Sequence, residues 1–353
     1  MKREFHAHFA FALQDSPIQA YALDWLVRKS LRLPHRWQEV GAIQDDFARV
    51  KILAQAIITG HKESARMGTR RNPTGLYYWI QKKSAEFLHR RKEFIQRVIP
   101  LSPLNLSLFP PGSWAIQVRF TLSKPYLSKD DVDFYILDNP VKKEWVFKVP
   151  YVAPSQWKGA LRAAMTRILV EERPEPKEFA RRRFRLTLLF GDEKGEEPGA
   201  IKGLAQFLDQ TGGKESARIY RNLVRAHFGI PSDKPMPHFQ GRLYFYPTFF
   251  DRIGLEVINP HPRETGAGKQ PIYFESVPAD TPGVFTLLYV PLALVGKASQ
   301  EEMEREAEED LAAVAQGVRA MLTKYGFGAK TSSGYGVAEI NEFLTRRHGE
   351  HGG

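Results

Sequence analysis

The chain has 353 residues, 42% hydrophobic and 26% charged, which is enough apolar content for a substantial core and too much for a disordered polypeptide. Its 51 Lys and Arg against 40 Asp and Glu leave a formal charge of +11, and a pI near 9.6 points to a polyanionic partner such as a nucleic acid. The absence of cysteine excludes disulfides, thiolate nucleophiles and Cys-ligated zinc, and suits a reducing compartment.

The first segment, EFHAHFAFAL, places Phe5, Ala7, Phe9, Phe11 and Leu13 on one face at period two and predicts a strand, with His6 and His8 on the other face. His-x-His is a metal-ligand spacing, but no third ligand stands near it, so the pair reads as a polar strand face and no metal is expected. The opening lacks the continuous apolar run of a signal peptide, and no run elsewhere reaches membrane-spanning length. A cytoplasmic, soluble protein without membrane contact is expected.

From Pro17 to about Val98 the periodicity turns helical, in Ala20, Leu23, Trp25 and Leu26, in FARVKILAQAII, and from Leu76 to Ile95. Residues 1–100 are thus expected to form a strand plus a helical lobe. Its polar faces carry Arg70, Arg71, Arg90, Arg91 and Lys92, which either meet a polyanion or are solvated; the sequence leaves both open. The octamers TGHKESAR (59–66) and TGGKESAR (211–218) share seven of eight residues, yet one short echo makes no repeat architecture.

After the Pro/Gly break in LSPLNLSLFPPGS, WAIQVRFTL (114–122) alternates as a strand. SQWKGALRAAMTRILVEE reads as a helix with Ser155 at its N-cap and Leu161, Met165, Ile168 and Leu169 on its buried face. Further strands are predicted at 241–250 and 284–294. An acidic helix from about Ser299 to Tyr325 leads into GFGAKTSSGYG (326–336), and YGVAEINEF ends the fold as a strand. The order strand, helix, strand, strand, helix, strand predicts an α+β, ferredoxin-like (RRM-like) domain over 101–345, with 346–353 as a basic, disordered tail.

Four glycines within GFGAKTSSGYG allow positive φ and a close backbone approach, so the ligand expected there is a phosphate. GFGAKT begins like a dinucleotide fingerprint, but the third glycine is missing and a strand follows in place of a helix. TGGKES lacks the Lys-Ser/Thr pair and the upstream glycine of a P-loop. Neither nicotinamide nor ATP fits, and no cofactor is expected.

KVPYVAPSQWKGALR (148–162), LFGDEKGEE (189–197) and GFGAKTSSGYG stand in the order found in the RAMP superfamily, the ferredoxin-like subunits of CRISPR effector complexes. The first resembles the family's Pro-x-x-Pro-Gly-Ser-Ser-x-Lys-Gly-x-x-Arg helix start, and the last resembles its glycine-rich loop. PYLSKDD…DNPVKKEW resembles the loop leading into that helix, and INPHPRETGAGKQPIYFESV resembles the terminal subunit of the Cmr-type complex. The resemblance touches residues 114–342 and not the helical region 17–98. Ala153-Pro154-Ser155-Gln156 departs from it, standing where Pro-Gly-Ser-Ser is usual.

The resemblance implies an RNA-binding subunit of a type III CRISPR ribonucleoprotein, partnered by guide RNA, target RNA, other RAMP subunits and the large subunit. It implies RNA contacts from Ser155, Trp157, Lys158 and Arg162 at the helix start. In the loop it implies them from Gly326, Phe327, Gly328, Ala329, Lys330, Thr331, Ser332, Ser333, Gly334, Tyr335 and Gly336. The rival reading is a RAMP-type endoribonuclease, in which Asp130, Asp131 and Asp133 would hold Mg²⁺ at a phosphodiester or His6, His8 or His35 would act as general base. The WKGALR helix and the DNP segment favour the effector subunit.

Overall fold

The computed structural model describes residues 43–54, 62–67, 73–99, 105–130, 135–193, 203–231, 234, 238–259 and 271–349. The strand expected at Phe5–Leu13, with His6 and His8, lies outside the described residues, as do His35, Arg70, Arg71, Asp131 and Asp133. In chain order the helices are α1 (Asp46–Lys51), α2 (Lys62–Arg66), α3 (Gly75–Lys82), α4 (Ser84–Val98), α5 (Pro154–Glu172), α6 (Pro176–Phe190), α7 (Leu204–Phe228) and α8 (Gln300–Ala320). The strands are β1 (Trp114–Leu122), β2 (Tyr151–Val152), β3 (Leu243–Phe245), β4 (Thr248–Phe249), β5 (Gly254–Ile258), β6 (Ile272–Ser276), β7 (Pro282–Tyr289) and β8 (Ala338–Arg347).

The chain divides into two compact units. One takes the described residues of Met1–Leu101, Lys124–Tyr151 and Phe249–Thr281; the other takes those of Ser102–Ser123, Val152–Thr248 and Pro282–Gly353. The division is not the single boundary near residue 100 that the sequence suggests. Residues 124–151 and 249–281 join the helical region because their hydrogen bonds lie there: Tyr126 and Val277 exchange backbone bonds at 2.9 Å, Arg66 donates to the Ile136 carbonyl at 2.8 Å, and Lys92 pairs with Asp251 at 2.7 Å.

In the first unit Phe47, Trp79 and Phe87 meet with ring centroids 5.9 Å apart and, with Val50, Leu76, Leu88 and Ile95, form the apolar side of α1, α3 and α4. That is the helical stripe read from Leu76 to Ile95. β5 and β6 form an antiparallel hairpin. Three cations of α4 have partners within the unit: Arg90 pairs with Glu86 at 3.8 Å, Arg91 with Asp45 and Lys92 with Asp251. The two KESAR echoes are both helical, one forming α2 and one resuming α7 after a kink at Gly213. Both bury the alanine, Ala65 and Ala217, but the first also buries its arginine, Arg66, and the second its serine, Ser216.

The second unit is a mixed helix-and-sheet fold built on one antiparallel four-stranded sheet, in the order β3-β7-β1-β8. β1 is central, and its Trp114, Ile116, Val118, Phe120 and Leu122 are all buried on one face, as the alternation requires. Trp114 stacks on Tyr289 at 4.6 Å and donates its indole N–H to the Ala307 carbonyl of α8 at 2.9 Å. Helix α8 begins at a capping box in which Ser299 and Glu302 satisfy each other's backbone N–H. It ends in a π turn, Met321–Tyr325, that delivers the chain to the glycine-rich loop. β8 runs on to Arg347, so Arg346 and Arg347, expected in a tail, pair with Ala115 and Trp114 of β1.

One buried polar network ties α8 to this sheet. Asp310 accepts from Tyr289 Oη at 2.9 Å, and Arg242 Nη1 reaches Asp310 at 3.3 Å and Glu306 at 2.6 Å. Removing one partner strands a buried charge, which typically costs about 3–5 kcal/mol. Asp310→Ala should lower the urea midpoint accordingly, while Asp310→Asn, which keeps an acceptor, should lose less.

Candidate nucleic-acid interface

Helix α5 starts two residues earlier than its polar cap suggests. Ala153 is the N-cap, with φ −68° and ψ 150° and no side-chain bond, and Pro154 takes the first helical position. Proline fits there because its φ is preset and its missing N–H would have had no helical partner. Ser155 therefore sits exposed within the first turn and is not the cap.

Trp157, among the RNA contacts that the resemblance implies, is fully buried. Its indole donates to Thr248 Oγ1 at 3.1 Å, and its ring packs against Phe285 at 5.0 Å and Phe327 at 4.5 Å. Phe327 is equally buried. Both aromatics thus belong to the core behind the loop. Lys158 is half-buried. Arg162 is half-buried too and turns toward the Asp192 carbonyl, to which it donates at 3.2 Å; burial lowers its pKa.

The loop divides into a pinched base and an open crest. Phe327 N–H donates to the Gly336 carbonyl at 3.0 Å. Gly336 has φ +69°, and a Cβ there would lie 1.9 Å from the Phe327 carbonyl oxygen; at Gly326, φ +73°, it would lie 2.8 Å from the Tyr335 oxygen. These two glycines let the strands of the loop touch. At Gly334, with φ +84°, a Cβ meets nothing within 4 Å, and Gly328 has φ +92°. Between them Lys330 adopts the left-handed conformation, and Thr331–Ser333 form a 3-10 turn. Ala329, Lys330, Ser332, Ser333 and Gly334 are exposed, and Thr331 and Tyr335 are half-buried.

A groove of about 360 Å³ runs between this loop and one face of α5. The helix contributes Gln156, Gly159, Ala160, Ala163 and Arg167, and the chain entering the loop contributes Tyr325, Gly328 and Thr331. Small residues at i, i+4 spacing keep side chains out of the floor, so an extended ligand backbone can approach the helix. Lys158 and Arg162 do not line it. Arg167 does, and lies 5.4 Å from the Tyr325 ring centroid. Tyr325 in turn donates to Glu171 at 2.9 Å, as Lys324 does at 2.7 Å; those bonds lower the Glu171 pKa and raise that of Lys324. The signal that would have found Arg167 is the small-residue stripe ending on it, one helical turn beyond Ala163.

Asp130, in the first unit, is a strut of its loop: its N–H donates to the Pro140 carbonyl at 3.0 Å, and its carboxylate accepts the Lys143 N–H at 3.3 Å. Among the described residues no group of three His, Asp or Glu is placed to hold a metal ion. No helix among them is long and apolar enough to cross a membrane.

The family model described as the RAMP superfamily matches residues 109–339, more than half of the chain. The chain belongs to the RAMP superfamily. No curated protein gives a match. Among solved structures, this RAMP protein is similar to a chain of the type III-B Cmr-beta complex bound to cognate target RNA, at 14% identity and a TM-score of 0.43 over 94% of this chain and 99% of that one. It is also similar to Cmr6 from Pyrococcus furiosus, at 20% identity and a TM-score of 0.32 over 65% of this chain and 98% of that one. A chain of a CRISPR RNA-guided surveillance complex, in its pre-nicking state, matches at 14% identity and a TM-score of 0.34 over 65% and 77%. These likenesses are distant, and membership in the RAMP superfamily rests on the family match.

The two classes of loop glycine in this RAMP protein predict opposite phenotypes. Gly336→Ala should lower the thermal midpoint by several degrees, since its Cβ collides with backbone. Gly334→Ala carries only the cost of positive φ, about 1 kcal/mol, and should leave a folded protein in which ligand affinity can be read separately. Circular dichroism melts of both variants check this.

Proposed function

We propose that this RAMP protein is a cytoplasmic RNA-binding subunit of a type III CRISPR ribonucleoprotein, holding guide RNA by its backbone in the groove between α5 and the glycine-rich loop. Its partners are the guide RNA, the target RNA paired to it, further RAMP subunits and the large subunit of the complex. The second unit is read as ferredoxin-like, supported by the succession β1, α5, β3, β7, α8, β8 and the strand order β3-β7-β1-β8.

The observation that carries the reading is the groove itself. A floor of Gly159, Ala160 and Ala163 faces a loop whose crest has positive φ at Gly328, Lys330 and Gly334, with Arg167 at one end. Such a surface suits a sugar–phosphate strand better than a compact metabolite, because it offers backbone and one guanidinium and no enclosed pocket for a base. The contacts proposed are Ser155, Arg167, Gly328, Ala329, Lys330, Thr331, Ser332, Ser333 and Gly334; Trp157, Phe327, Gly326 and Gly336 shape the groove from behind. Sequence is then read by base pairing in the RNA, and the protein supplies backbone grip.

Binding to a single-stranded guide should weaken with salt at a log–log slope of about −0.7 per phosphate neutralised. Arg167→Ala and Lys330→Ala should each make the slope shallower by about that amount and reduce affinity at fixed salt. Filter binding across a salt series measures both. A flat salt response overturns the polyanion reading, and Mg²⁺-dependent cutting of the bound RNA reassigns the chain to the endoribonuclease alternative.

A further inference from the structure

The first unit carries an aromatic feature that the groove does not use. Residues 142–151 fold back as a tight turn: Lys143 bridges Pro150, Glu144 N–H donates to Val149 O at 2.9 Å, and Lys148 N–H donates to Glu144 O at 3.0 Å. The Glu144 carboxylate accepts the N–H groups of Val146 at 2.7 Å and Phe147 at 2.6 Å, so the tip is braced from inside. On it stands Trp145, 75% exposed, whereas Trp79, Trp114 and Trp157 are each at most 2% exposed. Phe147 turns inward against Phe94 at 5.9 Å.

Lys148 adopts φ +58°, a conformation that costs a non-glycine residue energy. It lays its ammonium 4.7 Å from the centroid of the Trp145 ring. Beside the ring lies a small pocket lined by Lys51, Lys143, Lys148, Asp130, Glu144 and Glu275. Its acids are already engaged. Glu275 takes Lys143 Nζ and the Val141 N–H at 3.1 Å, Asp130 takes the Lys143 N–H, and Glu144 takes its two amides. Among the described residues the Lys51 and Lys148 ammoniums form no ion pair within 4 Å and lie over ring faces, Phe47 at 5.7 Å and Trp145 at 4.7 Å, with Glu275 and Asp130 acting on Lys51 from longer range. Burial and then the nearby Lys143 lower the Lys51 pKa, while Glu275 and Asp130 oppose that shift.

We propose that Trp145 is a stacking platform for an unpaired base of single-stranded RNA, with the adjoining phosphate held beside Lys51 and Lys148. The combination of one rigid, exposed indole and two ammoniums lacking carboxylate partners is what a nucleotide needs and an apolar protein partner does not. This site rests on the RNA-binding reading but lies on residues separate from the groove. It can therefore fail while the groove stands.

The test compares an unstructured 12-nucleotide RNA with an RNA duplex of equal length, on the full chain. Trp145→Ala should weaken single-strand binding roughly tenfold and leave duplex binding unchanged. Trp145→Tyr should restore most of the loss, which a merely structural role of the indole would not require. Lys51→Ala with Lys148→Ala should weaken single-strand binding and flatten its salt slope. If Trp145→Ala binds single strands like the parent while Arg167→Ala still loses affinity, the platform is overturned and the groove stands. If the parent binds no RNA, both fall. If Trp145→Ala keeps its RNA but loses a copurifying protein, the tip is a protein contact and the proposal is overturned.

Discussion

The seat of Trp157 is the constraint on which the second unit depends. Its indole N–H is tied to Thr248 Oγ1, whose own hydrogen goes to the Val284 carbonyl at 2.6 Å. Its ring touches Phe120 of β1, Phe285 of β7 and Phe327 of the glycine-rich loop. One side chain thereby fixes the first turn of α5 against two strands and against the loop. Because interiors are close-packed, this cluster, which reaches the groove wall through Phe327, sets the width of the groove. A polar indole is tolerated there only because its single donor is satisfied.

The formal charge of +11 is a poor map of where an anion would bind. Many of the cations are consumed inside the protein. Arg183 is forked onto Glu193 and also reaches Asp209, and Arg242 is held by Glu306 and Asp310. Arg66 is buried on Asp138 and the Ile136 carbonyl. Arg167, Lys51 and Lys148 each rest on an aromatic face, as Arg183 does on Tyr220, but unlike Arg183 they form no ion pair among the described residues. An ammonium or guanidinium held that way is positioned without being neutralised, so its field remains available to a phosphate.

Local signals were legible wherever a short window determines the outcome. β1 could be read from alternation and α8 from its acidic helical stretch beginning near Ser299, whereas the loop glycines were all read as an opening for a phosphate although Gly326 and Gly336 serve the crossing of the loop's own base. Ser155 misled because Pro154, a stronger first-turn residue than serine is a cap, moved the start back to Ala153. Trp157 and Phe327 misled because a motif's position does not say which way its aromatics turn. The assignment of 124–151 and 249–281 to the first unit, and the pocket joining Lys51 to Lys143 and Lys148, were beyond reach. Each depends on pairing across long sequence separations, such as Asn139 with Phe274, that no local pattern encodes.

The central position of β1 has a consequence for how the chain is made. Its side chains meet partners 169 residues away at Thr286 and 220 residues away at Asn341, and the chain between them leaves twice for the first unit. At a synthesis rate of about 5–20 residues per second, β1 waits about 10–40 s for β8 to emerge. Until β7 emerges this nine-residue strand has both edges open, and the edge that takes β8 stays open for the whole interval. On the ribosome this unit is a late folder, and an interior strand of the finished sheet is the one that nascent-chain chaperones would have to shield longest.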